Sequence, residues 1–286
     1  MSGRLAAWSA LVKPRIIELL LITTLPAMVM AAGGWPGNGL VSATLAGGFL
    51  TAGGANALNN VIDRDIDARM ARTRKRPLPS QRISSSEALL LGLVLGVAGV
   101  GLLAVATTPL AGALAAGALL FYVLVYTLGL KRSTPQNIVI GGAAGAAPAL
   151  IGWSAVSGTT AVEAWILFGI VFFWTPPHFW ALAIRFREDY AAAGVPMLPA
   201  VAGQEAVVTQ IVLYSITVVG VSLLLAPVAG LGPIYPVAAI VLGSGLVAAA
   251  WRLRGRPDRA LGAFRYSNLY LALLFGSIAL DVLRAA

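Results

Sequence analysis

The sequence predicts an all-α integral membrane protein of nine transmembrane helices, and three observations carry that prediction. Its 286 residues are 58% hydrophobic and only 11% charged; a soluble domain carries about 25% charged residues, so little here is left to face water. Nine apolar runs are long enough to cross ~30 Å of hydrocarbon as helices, which takes roughly 20 residues each. The basic residues also fall almost entirely into alternate connections between those runs.

The runs are read as residues 16–34, 40–62, 87–106, 109–129, 136–156, 163–184, 206–228, 232–251 and 263–283. The first follows Arg4, Lys13 and Arg15 and stops at Gly33-Gly34-Trp35-Pro36-Gly37. It is longer than the apolar stretch of a signal peptide and lacks a small-residue cleavage site, so it reads as an uncleaved anchor. The second runs into a polar cluster that begins at Asn59. Ser84-Ser85-Ser86-Glu87 opens the third with a capping-box pattern. Thr107-Thr108-Pro109 separates the third from the fourth, and Lys131-Arg132 closes the fourth. The fifth carries Gly141-Gly142-Ala143-Ala144-Gly145-Ala146-Ala147, a surface for close helix packing or a groove for an apolar tail. Ser157-Gly158-Thr159 breaks it from the sixth, which holds Pro176-Pro177-His178 and ends at Arg185. Pro227 and Gly230-Leu231-Gly232-Pro233 divide the seventh from the eighth, and an arginine cluster precedes the ninth.

With nine spans, 19 of the 20 Lys and Arg residues lie on one side of the membrane, Arg284 being the exception. Short Lys/Arg-rich loops stay cytoplasmic. The N-terminus is therefore expected inside and the C-terminus outside, as in a multi-pass protein of a bacterial inner membrane. This topology accounts for the net charge of +9 without nucleic acid. The absence of cysteine excludes disulfides, thiolate metal sites, iron–sulfur clusters and thioether-linked haem. A single histidine, His178, excludes a multi-histidine metal cage.

The chemistry concentrates at the inner end of the second run, Asn59-Asn60-Val61-Ile62-Asp63-Arg64-Asp65-Ile66-Asp67. At about 100° per residue, positions 59, 63 and 67 share one helix face and Asp65 points away. Two carboxylates and an amide on one face are hard oxygen ligands suited to Mg²⁺ that shares its shell with phosphate. Arg72, Arg74, Lys75 and Arg76 follow closely and can take charge left on a diphosphate leaving group. A second acidic stretch, Glu188-Asp189-Tyr190 followed by Val195-Pro196-Met197-Leu198-Pro199 and Gln204-Glu205, echoes the first. The offsets from Asp67 to Asp189, Pro79 to Pro199 and Glu87 to Glu205 are 122, 120 and 118 residues, which suggests a weak internal repeat of the acidic loops near 59–87 and 184–205.

Asn59-x3-Asp63-x3-Asp67 followed by Arg72-Thr73 and Arg76-Pro77-Leu78-Pro79 resembles the first signature of the UbiA superfamily of intramembrane prenyltransferases. Tyr126-Thr127 with Leu130-Lys131-Arg132, Asn137 to Gly142, Trp174-Thr175-Pro176-Pro177-His178-Phe179-Trp180 and Asp189-Tyr190 through Pro196-Met197-Leu198-Pro199 resemble its haem-farnesylating branch. The resemblance spans about residues 12–283 and implies a single prenyltransferase domain over residues 1–286, its helices arranged around a central cavity. It implies transfer of farnesyl from farnesyl diphosphate to a vinyl group of haem b, with addition of water, giving haem O for haem-copper oxidases. Mg²⁺ is the implied cofactor, on Asn59, Asp63, Asp67 and Asp189. Arg72, Arg76, Lys131 and Arg132 are the implied diphosphate-binding residues, and His178 is a haem-binding candidate. Other haem-A biosynthesis or oxidase-assembly proteins are implied partners. Many superfamily members carry Asp-x3-Asp in the second loop, whereas here Ala193 follows Asp189 at that spacing. A sister enzyme acting on an aromatic acceptor such as 4-hydroxybenzoate, a haem-binding assembly chaperone and a transporter are the alternatives.

Overall fold

The computed structural model describes residues 2–286, with no side-chain detail at Ser2 and Ile16. Each of the nine predicted runs coincides with a long helical stretch. In chain order, α1 (Ser2–Val12) leads into α2 (Pro14–Ala32), α3 (Asn38–Ile62) and a short α4 (Arg64–Arg69). After a basic loop come α5 (Ser85–Ala106) and α6 (Pro109–Leu120), which winds on through a π-helical stretch (Phe121–Leu130) into the single turn α7 (Lys131–Ser133). Then follow α8 (Asn137–Ser157), α9 (Val162–Arg185), the short α10 (Arg187–Ala192) and α11 (Leu198–Val201), and finally α12 (Gln204–Ala229), α13 (Ile234–Trp251) and α14 (Ala260–Ala285). Among the described residues no strand is present.

Seven of these stretches are long and apolar enough to cross a membrane, and α1 with α2, bent by 49°, counts as an eighth. The ninth, α3, falls short in apolarity because it carries Asn56, Asn59 and Asn60. Those amides lie in a continuously buried stretch from Gly53 to Asn60, shielded by neighbouring helices. The outer surface is apolar. Leu90, Val97, Val105, Leu124, Ile216, Leu224 and Val241 all stand exposed, a surface that water does not favour and hydrocarbon does. The chain is a multi-pass membrane protein.

Small residues bring the helices together, as expected where lipid supplies no hydrophobic drive between them. A Cβ on Gly54 would sit 2.5 Å from the Gly96 nitrogen, and one on Gly99 would sit 2.4 Å from the Thr51 nitrogen, so α3 and α5 touch backbone to backbone. Gly152 does the same for α8 against α2, where an added Cβ would lie 2.5 Å from the Thr24 carbonyl oxygen. The largest apolar core joins α8, α9, α12, α13 and α14 through Trp153, Trp174, Leu225, Tyr235, Tyr270 and Phe275.

One carboxylate is unexpected. Asp281 is buried on α14, where its two oxygens accept from the Tyr235 and Ile234 amides at 2.7 and 3.4 Å. It thereby satisfies the open N-terminus of α13 from another helix.

Candidate active site

The site forms where α3 ends. The predicted single face assumes an unbroken helix, but α3 stops at Ile62 and Asp63, with φ −87° and ψ 7°, joins it to α4. Helical hydrogen bonds still cross the joint, from the Asp63 amide to the Asn59 carbonyl at 2.9 Å and from the Asp67 amide to the Asp63 carbonyl at 2.8 Å. The spacing therefore survives the break. Asp63 and Asp67 are 0% and 3% exposed, whereas the Asp65 side chain is 54% exposed.

Each buried acid has a cation. Lys131 donates to Asp63 Oδ2, and Arg76 Nη1 donates to both Asp67 oxygens at 2.8 Å. Lys131 is delivered by the π-helical stretch, a winding often found at functional sites. Thr127, on the same stretch, accepts from Asn59 Nδ2 at 3.2 Å and donates to the Tyr122 carbonyl at 2.7 Å. Asn59 Nδ2 also donates to Asp63 Oδ2 at 2.7 Å, while Asn59 Oδ1 accepts from Lys13 Nζ at 3.0 Å. Both donors and the acceptor of this amide are thus engaged, which fixes its orientation. Lys13 reads in the sequence as a topogenic charge only, and nothing there signals that it reaches Asn59.

Arg132 lies off to one side. It forks onto Asp65 at 2.7 and 2.8 Å, donates to the Ile62 carbonyl and comes within 3.8 Å of Asp63 Oδ1. That fork holds the Asp65 carboxyl down at about 2. Arg74 and Lys75 are exposed. Arg72 lies 5.0 Å above the Phe186 ring.

Asp189 does not join the buried acids. Its carboxylate accepts from the Ala71 and Arg72 amides at 3.2 and 3.3 Å, tying the second acidic loop to the first. Among the described residues no three acidic or histidine side chains form a metal cage. What the structure does assemble is two carboxylates beside an amide. Asp63 Oδ1 is buried without a hydrogen bond, an acceptor left over for a cation, so this oxygen-donor set fits Mg²⁺.

The small-residue run on α8 is mostly filled. A Cβ on Gly141 would fall 2.3 Å from Tyr126 Cδ2, and one on Gly142 would fall 3.1 Å from Thr175 Cβ, whereas Gly145 meets nothing within 4 Å. The packing reading holds for the first two glycines.

His178 stands on α9, buried between two rings. Trp174 stacks on one side with centroids 4.1 Å apart and Phe264 on the other at 4.5 Å. Its Nδ1 lies 2.7 Å from Ser267 Oγ, and that hydroxyl spends its one proton on the Phe264 carbonyl at 2.7 Å. With the hydroxyl proton directed at the Phe264 carbonyl, Nδ1 donates to Ser267 Oγ and Nε2 carries the lone pair. Trp174 Nε1 donates to the Ser267 carbonyl at 2.9 Å, so Ser267 organises both residues. Phe179 faces outward, 37% exposed. Two shallow grooves, along α12–α13 and α13–α14, touch none of these residues.

A multi-pass helical protein with buried carboxylates and cations at the C-terminal ends of α3 and the π-helical stretch has the layout of an intramembrane diphosphate-handling enzyme. The model of the UbiA prenyltransferase family matches residues 20–274, and the chain belongs to that family. Among curated relatives, a protoheme IX farnesyltransferase of Frankia alni is 51% identical over 98% of each chain. One from a Nocardioides species is 53% identical, covering 98% of this chain and 92% of its own. Among solved structures, one described as digeranylgeranylglyceryl phosphate synthase aligns with a TM-score of 0.80 at 18% identity over 99% of both chains. A UbiA homolog from Archaeoglobus fulgidus, bound to DMAPP and Mg²⁺, aligns with a TM-score of 0.69 at 16% identity over 98% and 99% of the chains.

Proposed function

We propose that this protein is a Mg²⁺-dependent prenyltransferase that moves a farnesyl group from farnesyl diphosphate to a vinyl group of haem b, with addition of water, to give haem O and diphosphate. The observation that carries the reading is the two ion pairs Asp63–Lys131 and Asp67–Arg76, each a buried acid on a partly buried cation. Such a set is costly to bury and suits a ligand that is itself an anion bound with a metal. The acceptor is inferred from the relatives at about half identity.

Asn59, Asp63 and Asp67 would hold Mg²⁺, which when bound would neutralise diphosphate charge as the allylic carbon–oxygen bond weakens. Lys131 and Arg76 would turn from their carboxylates to the departing diphosphate oxygens and stabilise the charge left on them. Asp189, through the Ala71 and Arg72 amides, would keep the basic loop closed over the site, with Arg72 in reach of phosphate. Arg132 would act more weakly, since Asp65 already occupies its fork. The vinyl group would add to the farnesyl carbon, and water would then capture the resulting cation next to the macrocycle. His178 would meet the haem through Nε2, with Ser267 holding the ring in the required tautomer. The basic loops would face the cytoplasm, and the protein would sit in a bacterial inner membrane beside other haem-A biosynthesis or oxidase-assembly proteins. The resemblance between the two acidic loops supports one catalytic domain with a weak internal repeat.

Purified protein supplied with haem b, farnesyl diphosphate and Mg²⁺ should yield a product heavier than haem b by one farnesyl group and one hydroxyl, the second proton of the water being released. Transfer to 4-hydroxybenzoate with none to haem b would establish the sister reading instead.

A further inference from the structure

Lys13 differs from the two cations that pair with the buried acids. Lys131 and Arg76 each face a carboxylate, but the Lys13 ammonium is bound to the uncharged oxygen of Asn59 at 3.0 Å, and among the described residues it makes no ion pair. A positive charge taken partly out of water with no carboxylate in contact is unfavourable.

Its backbone is unfavourable as well. Lys13 has φ 58° and ψ 58°, a left-handed conformation rare outside glycine, and it precedes Pro14, which narrows its choices further. Such strain persists only where the surroundings impose it.

The surroundings here are specific. Asn60 Nδ2 donates to the Leu11 carbonyl at 3.1 Å and Asn56 Nδ2 to the Val12 carbonyl at 2.9 Å, so two amides of α3 hold the last carbonyls of α1. Gly53, one turn earlier, leaves room for Val12, whose Cγ1 would lie 2.8 Å from an added Cβ. Leu11 and Ala7 anchor α1 against Leu78, Ile83 and Ala88. Three asparagines of α3 thus act on one elbow, two fixing the chain and Asn59 receiving the ammonium.

We propose that Lys13 is a diphosphate-binding residue, held by the Asn56–Asn60 clasp so that its unpaired ammonium meets a phosphate oxygen beside the acids of α3. The assignment rests on the diphosphate-site reading above. It makes the α1–α2 elbow part of the active site rather than a membrane entry point alone. Asn56 and Asn60 are positioning residues, since they act on the ligand only through the elbow.

The test is calorimetric titration of the full chain in detergent with inorganic pyrophosphate in Mg²⁺. Lys13→Gln and Lys13→Gly should each weaken pyrophosphate binding by about ten- to a hundred-fold, the worth of one charged hydrogen bond. Lys13→Arg should recover most of it. Lys13→Gly should also melt no lower than the parent without ligand, because glycine adopts this backbone without strain, so its loss of affinity cannot be blamed on unfolding. Asp63→Asn serves as the reference for the site. If Asp63→Asn loses pyrophosphate while Lys13→Gly binds it as tightly as the parent, the role of Lys13 is overturned and the site reading stands. If Asp63→Asn also binds normally, the site reading itself fails and the assignment of Lys13 fails with it.

Discussion

Asp63 and Asp65 are two residues apart in sequence, yet their replacement by asparagine should differ by orders of magnitude. Asp63 is fully buried, its Oδ2 holds both Asn59 Nδ2 and the Lys131 ammonium, and Lys131 is itself only 18% exposed. Asp63→Asn removes the charge that balances Lys131 and leaves one acceptor oxygen where the carboxylate had two. Breaking a buried pair from one side costs about 3–5 kcal/mol. Loss of an electrostatic contact of this kind at a reacting centre costs on the order of 10²-fold or more in turnover. Asp65 is 54% exposed and shares its charge with Arg132, 36% exposed. An exposed pair contributes ~0.2–1 kcal/mol, so Asp65→Asn should leave turnover within a few-fold and free Arg132 for other contacts. Denaturant unfolding in detergent measures the first quantity, and product formation from haem b and farnesyl diphosphate measures the second. Equal losses in the two variants, or an Asp63→Asn protein as active as its parent, would refute the argument that burial and pairing separate them.

Gly141→Ala should destabilise the protein by about 1–3 kcal/mol through overpacking, because the new Cβ falls 2.3 Å from Tyr126 Cδ2. Gly145→Ala, with nothing within 4 Å, should stay within ~0.5 kcal/mol in the same unfolding assay. His178→Ala should shift the absorption spectrum of bound haem and weaken its binding; an unchanged spectrum and affinity would return the residue to a packing role with Trp174 and Phe264. Reporter fusions should place the loop at residues 64–82 on the cytoplasmic side, and an external signal there would overturn the orientation and the location of the site together.

The helices were legible because their signal is large. Apolar runs and loop chemistry place each span within a few residues of its helix, and even α3, the one of the nine that falls short in apolarity, is recoverable because Asn56, Asn59 and Asn60 cluster toward its C-terminal end. The pairing of Asn59, Asp63 and Asp67 was legible from spacing alone, although the break at Asp63 was not, since Val61-Ile62-Asp63-Arg64 contains no proline or glycine to announce one. Long-range partners were beyond reach. Nothing in the sequence pairs Lys131 with Asp63 across 68 positions, sends Asp189 to the backbone at Ala71 across 118, or turns the α1–α2 elbow onto Asn59. Those contacts depend on how the helices are arranged in space. The π-helical stretch was likewise hidden, because Phe121 to Leu130 reads as an ordinary apolar helix.

That stretch makes the protein sensitive to length where it is tolerant of identity. Removing one residue between Phe121 and Leu130 would let the chain relax toward the commoner winding, and Lys131 would swing about 100° around the axis, away from Asp63. Every side chain the chemistry needs would still be present, in the same order. Substitutions within the stretch, by contrast, leave the register of Lys131 intact so long as Thr127 keeps its hold on the Tyr122 carbonyl. A homologue that differs here by a single-residue gap would therefore have lost more than one with several exchanged residues, and counting identities would rank the two in the opposite order.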